Sequence, residues 1–204
     1  MANRVARAGF RVVRKSPLGR LLGHAAMDRV RSRMLHMSSR DLHEALAALD
    51  AADVSVWVGG GWGVDALLGS ETRRHSDVDL LIEHARDGER RASEALAPLG
   101  YRHAKDQGEV GDVLRLRTIL RDPSGRTIEL LFFQTDGEGP AAAPHLADVA
   151  FTVGRVDGRP VPCLSAQEQL RLHSSYEPAE HDRRDVGLIC EMFDLPLPVK
   201  YRAT

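Results

Sequence analysis

The chain has 204 residues, with 28 Lys and Arg against 29 Asp and Glu and a formal net charge of −1. That length holds one domain or two small ones around a sizeable core, and the charge balance argues against a nucleic-acid partner. Two cysteines without C-x-x-C spacing argue against a disulfide framework or a structural zinc site. With no apolar run near the ~18 residues of a membrane span, they imply a cytoplasmic protein.

Residues 1–36 carry nine Lys or Arg against a single acid, Asp28, and form a basic N-terminal extension. Its interleaved Val and Leu allow an amphipathic helix on RNA or an anionic surface, and a solvated arm is the plainer reading. Ser38-Ser39-Arg40-Asp41 is a capping box, and Leu42, Ala45, Leu46 and Leu49 follow at helical spacing. Val54 to Val58 reads as a strand, Gly59-Gly60-Gly61 as a turn, and Trp62 to Leu68 as a short helix. Trp57 and Trp62 are expected to pack, and Asp65 to cap or cross-link.

After the run Asp77 to Ile82, a helix is expected over Glu89 to Leu96, stopped by Pro98 and Gly100. Val113 to Leu120 alternates like a strand, with its arginines on one face, and Asp122-Pro123-Ser124-Gly125 turns it back into Arg126 to Phe133. Gln134 to Pro144 reads as a loop. Ser165-x-x-Glu168 opens a helix, and Ala179 to Phe193 forms a last one, which Pro196 and Pro198 end. The expected division is a catalytic domain over 37–160 and a C-terminal helical part over 161–204.

The chemistry concentrates at Asp77-Val78-Asp79. In a strand, side chains at i and i+2 share a face, so the two carboxylates stand side by side. Such a pair repels itself unless a divalent cation neutralises it, and Mg²⁺ prefers carboxylate oxygens shared with phosphates. A glycine turn before a helix brings backbone N–H groups close to a phosphate. Glu129, between apolar strand neighbours, is either an outward-facing residue or a third acid of this site.

Gly60-Gly61-Trp62-Gly63-Val64-Asp65-Ala66-Leu67-Leu68-Gly69, followed by Thr72-Arg73-Arg74-His75-x-Asp77-x-Asp79, resembles the aminoglycoside and lincosamide nucleotidyltransferases of the polymerase-β-like superfamily. A second, more diffuse match is Cys163-Leu164-Ser165 with His173, Tyr176-Glu177, Asp182 and Asp185, so that the likeness runs from about residue 37 to 193. The broader superfamily opens the helix with Gly-Ser. Here Gly61-Trp62 stands instead, without a serine hydroxyl for phosphate.

The resemblance implies an α/β (α+β) polymerase-β-like domain with a mixed sheet, followed by a small helical part. It implies one or two Mg²⁺ ions on Asp77, Asp79 and Glu129, with Glu129 also the base that takes the acceptor's proton. It implies ATP or another NTP as co-substrate, held by Gly60, Gly61, Arg73, Arg74 and His75, with His75 also suited to steadying the Asp strand. His173 and Tyr176, and the acids Asp136 and Glu138 for a cationic ligand, are the candidate acceptor-binding residues. Asp182 to Asp185 reads as a solvated charged face. The expected reaction moves AMP from ATP to a hydroxyl of a small molecule, an aminoglycoside or lincosamide antibiotic. The alternatives are adenylylation of a protein or RNA, and a non-catalytic binding or antitoxin partner.

Overall fold

The computed structural model describes residues 36–83, 87–104, 117–133 and 148–202. The basic extension up to residue 35, the 105–116 stretch and the loop bearing Asp136 and Glu138 lie outside the described residues. The first helix, α1 (Ser39–Ala51), begins where the capping box places it. The Ser38 hydroxyl accepts from the Asp41 N–H at 3.2 Å, and Asp41 accepts from the Ser38 N–H at 2.8 Å. Its apolar stripe buries Leu42, Ala45 and Leu49 completely, which for each leucine is worth roughly 1.5–3 kcal/mol.

Seven described strands form one mixed sheet: β1 (Val56–Gly59), β2 (Asp77–Glu83), β3 (Arg102–His103), β4 (Arg117–Arg121), β5 (Thr127–Phe133), β6 (Phe151–Val156) and β7 (Arg159–Leu164), in the order β3-β4-β5-β2-β1-β7-β6. The helices α2 (Gly60–Leu68) and α3 (Gly88–Leu96) join α1 on one face. That face carries Val58, Val78, Leu80, Ile82, Leu120, Ile128 and Leu130, all at most 1% exposed. Because strand side chains alternate, the residues between them face the other way.

The sequence reading has no strands between 144 and 165, and the structure has a hairpin there. Pro160 and Pro162 in β7 and Gly154 in β6 mask the strand pattern. A usable signal is Asp157-Gly158, both at positive φ (49° and 72°), the two-residue turn that matches strand twist. β7 pairs in parallel with β1 through Val58 and Cys163. The sheet therefore continues past residue 160.

The helices α4 (Ala166–Ser174) and α5 (Glu180–Phe193) follow, with Ser165 capping α4. Ala166, Leu170, Val186 and Ile189 pack with Val64 of α2 in a second core. No helix among the described residues is long and apolar enough to cross a membrane.

Candidate active site

Strand register assembles the acids. Asp79 pairs with Glu129 across the parallel β2–β5 ladder and with Gly59 across β1–β2, while Asp77 pairs with Thr127. Directly paired residues share a face, as do i and i+2. Asp77, Asp79 and Glu129 therefore stand together on the face opposite the main core. Burial, then the charges of Glu129 and Asp77, push the Asp79 carboxyl well above its ordinary range, while Arg117 and Arg73 pull against that rise.

The glycine turn lies against this cluster. Gly60 has φ +55°, and a Cβ there would sit 1.9 Å from Asp79 Oδ2. A Cβ on Gly61 would sit 2.4 Å from Arg73 Nη2 and 2.6 Å from His75 Nδ1. Gly59 provides no side-chain cap to α2, so the helix start presents amide donors and the positive dipole end. Helix starts of this kind take phosphate.

Arg73 is preset. Its Nε and Nη2 donate to Asp185 Oδ2 at 3.0 and 2.8 Å, and Asp185 on α5 is 1% exposed. Arg74 is exposed. His75 is braced in place, with Nδ1 toward the glycine turn. It is 2% exposed, its Nε2 donates to Asp65 Oδ2 at 2.5 Å, and its ring tilts against Trp62 at 4.4 Å. Asp65 also accepts from the Thr72 N–H and hydroxyl at 3.0 and 2.6 Å. Asp65 thus cross-links the helix to the segment that delivers the Asp pair.

The run Asp182-Arg183-Arg184-Asp185 departs from a solvated face. Arg183 and Arg184 are exposed, but Asp182 and Asp185 turn inward at 4% and 1% exposure. Asp182 accepts from the Tyr176 hydroxyl at 3.0 Å, and His173 Nδ1 lies 2.7 Å from that hydroxyl and 3.2 Å from Asp182 Oδ1. Burial, then the Asp182 charge, hold the Tyr176 phenol above its usual range, with Asp79 adding to the effect. Tyr176 is therefore within electrostatic reach of the carboxylate cluster and stays protonated.

His173 Nε2 and both amide atoms of Gln169 are buried without a hydrogen-bond partner among the described residues. Gln169, which the sequence reading passed over, sits against Gly63. Arg117 is a further residue it did not single out. Its Nη1 donates to Glu129 Oε2 at 2.7 Å.

A mixed sheet that feeds a glycine-opened helix and carries acids from two adjacent strands on one face defines a nucleotidyltransferase fold. The solved lincosamide antibiotic adenylyltransferase LnuA, with lincomycin bound, shares it at TM-score 0.60 and 24% identity, over 76% of this chain and 97% of that one. The family model for aminoglycoside-2''-adenylyltransferase matches residues 41–189, and the chain belongs to that family.

A 2''-aminoglycoside nucleotidyltransferase of Klebsiella pneumoniae is 32% identical over 124 residues. That stretch is 61% of this chain and 66% of the relative, just under two thirds of its length. A lincosamide resistance protein of Staphylococcus haemolyticus is 26% identical over 157 residues, 74% of this chain and 93% of the relative.

Proposed function

We propose that this protein transfers a nucleoside monophosphate, AMP from ATP, to a hydroxyl of a small antibiotic of the aminoglycoside or lincosamide class. The observation that carries this reading is the meeting of Asp77, Asp79 and Glu129 on one sheet face beside the glycine-opened start of α2. The relatives named for aminoglycoside and lincosamide substrates supply the acceptor class. ATP as donor sets the reaction in the cytoplasm.

The residues fit Mg²⁺. The donors are all carboxylate oxygens on one sheet face, the ligand type that Mg²⁺ takes. Among the described residues no three His, Cys, Asp or Glu side chains already meet at ligand distance. Asp77 and Asp79 would hold the ion, with Glu129 at its edge. When bound, it neutralises charge on the triphosphate and on the departing pyrophosphate.

This chain's own groups do the remainder. The amides at Gly60 and Gly61 cradle phosphate, and the guanidinium of Arg73, oriented by Asp185, meets phosphate oxygens. Arg74, exposed beside it in sequence, is the second candidate for phosphate. Glu129 takes the proton of the acceptor hydroxyl, whose oxygen attacks the α-phosphorus as the bond to pyrophosphate breaks. His173 and Tyr176 are the candidates for the acceptor side. Asp136 and Glu138 remain the candidates for a cationic acceptor.

The test is incubation with α-labelled NTPs, Mg²⁺ and an antibiotic panel, with product mass and pyrophosphate read together. Label on one antibiotic with equimolar pyrophosphate is the expected outcome. Label on protein or RNA alone would replace the small-molecule acceptor.

A further inference from the structure

Arg117 is a cation built into an acidic site, and the sheet register puts it there. On β4 it pairs with Leu131, and Leu131 and Glu129 are i and i+2 on β5. Arg117 and Glu129 are thus diagonal cross-strand neighbours on the carboxylate face, a spacing a long side chain can bridge. The bridge is made: Arg117 Nη1 to Glu129 Oε2 is 2.7 Å, with the two side chains 27% and 17% exposed. The Arg117 charge also acts on Asp79 against its acidic neighbours. Arg73 reaches the same cluster but is already committed to Asp185.

We propose that Arg117 is a positioning residue that serves as the counter-ion of the Asp77–Asp79–Glu129 cluster in the metal-free protein and competes with the divalent cation for Glu129. Three carboxylates on one face repel each other, and a guanidinium on one of them relieves that strain. A cation entering the cluster meets the positive charge of Arg117 and finds Glu129 Oε2 occupied. Loading the site therefore loosens the Arg117–Glu129 pair.

This inference rests on the metal reading of the cluster, and one experiment separates their failures. Mn²⁺ takes the same oxygen ligands as Mg²⁺, and its free concentration is counted by electron paramagnetic resonance. Mn²⁺ alone is titrated into the full chain, into Arg117→Gln and into Arg117→Lys, with melting followed in chelator and at saturating Mn²⁺.

Arg117→Gln should bind Mn²⁺ more tightly by on the order of tenfold, since a neighbouring positive charge is gone. Its melting temperature should fall below wild type in chelator and recover with Mn²⁺. Arg117→Lys, which keeps the charge, should bind Mn²⁺ like wild type. Equal or weaker Mn²⁺ binding by Arg117→Gln, or a melting loss that Mn²⁺ does not reduce, would overturn the counter-ion role and leave the metal reading standing. Tighter binding by Arg117→Lys would also overturn it, because charge would not be the agent. Absence of Mn²⁺ binding by both the wild-type chain and Arg117→Gln would overturn both.

Discussion

Glu129 and Gly60 carry the sharpest consequences at the scale of single residues. Glu129→Gln preserves shape and the pairing of β5 while removing the proton acceptor, which for a positioned base costs roughly 10²–10⁴-fold in turnover. ATP affinity should change far less, because Asp77 and Asp79 remain. Single-turnover transfer and ATP titration, run on one preparation, separate these effects, and near-wild-type turnover would dismiss Glu129 as base. Gly60 faces a different constraint. Its φ of +55° and the 1.9 Å between a hypothetical Cβ and Asp79 Oδ2 leave no room for a methyl group. Gly60→Ala should lose about 1–3 kcal/mol to backbone strain and displace Asp79, so ATP binding should weaken as well. Denaturant melts and ATP titrations read the two losses, and an alanine variant with full affinity would show that the close approach has no role.

Elements set the next level, where the two C-terminal helices act as a brace for the site. Asp185 of α5 fixes Arg73, and Asp182 of α5 joins His173 and Tyr176 at the end of α4. Asp182 is held at about 2. Burial pushes it up, but hydrogen bonds from His173 and the Ala179 N–H, the His181 charge and the Tyr176 hydroxyl more than offset this. The folded value lies below the unfolded value of about 3.9. Its contribution, about 2 kcal/mol, is therefore complete above about pH 5 and fades as pH falls toward 2. Acid melts of wild type and Asp182→Asn should converge at low pH and separate near neutrality. Parallel curves would show that Asp182 does not tie α4 to α5.

For the whole molecule, the question is where the folded body begins. Met37 is fully buried, its N–H donates to the His75 carbonyl at 2.8 Å, and its sulfur accepts from the Tyr101 hydroxyl at 3.4 Å. A cut directly before Met37 would put a charged amine against the core, so the extension is best removed a few residues upstream. A chain lacking residues 1–34 should fold with unchanged melting temperature and unchanged turnover on a small acceptor. Activity lost without loss of folding would assign the basic extension to substrate capture, and a macromolecular acceptor would then be the better reading.

What the sequence determined by itself was local. The capping boxes at Ser38 and Ser165, the glycine turn, the Asp77–Asp79 alternation and the helical spacing of α1 and α5 follow from periods and caps spanning a few residues. Those signals also carried the family resemblance, and through it the fold. Tertiary structure decided whatever depends on partners distant in the chain. The side of the sheet that Glu129 takes is settled by its register with Asp79, and the hairpin β6–β7, with prolines in one strand and a glycine in the other, is held by pairing to β1. Asp182 and Asp185 look like a solvated run in one dimension. They are buried because α5 turns one face to His173, Tyr176 and Arg73, groups that a window of helical periodicity does not contain. Arg117 reaches Glu129 only through the pairing of β4 with β5, which brings together side chains 12 residues apart.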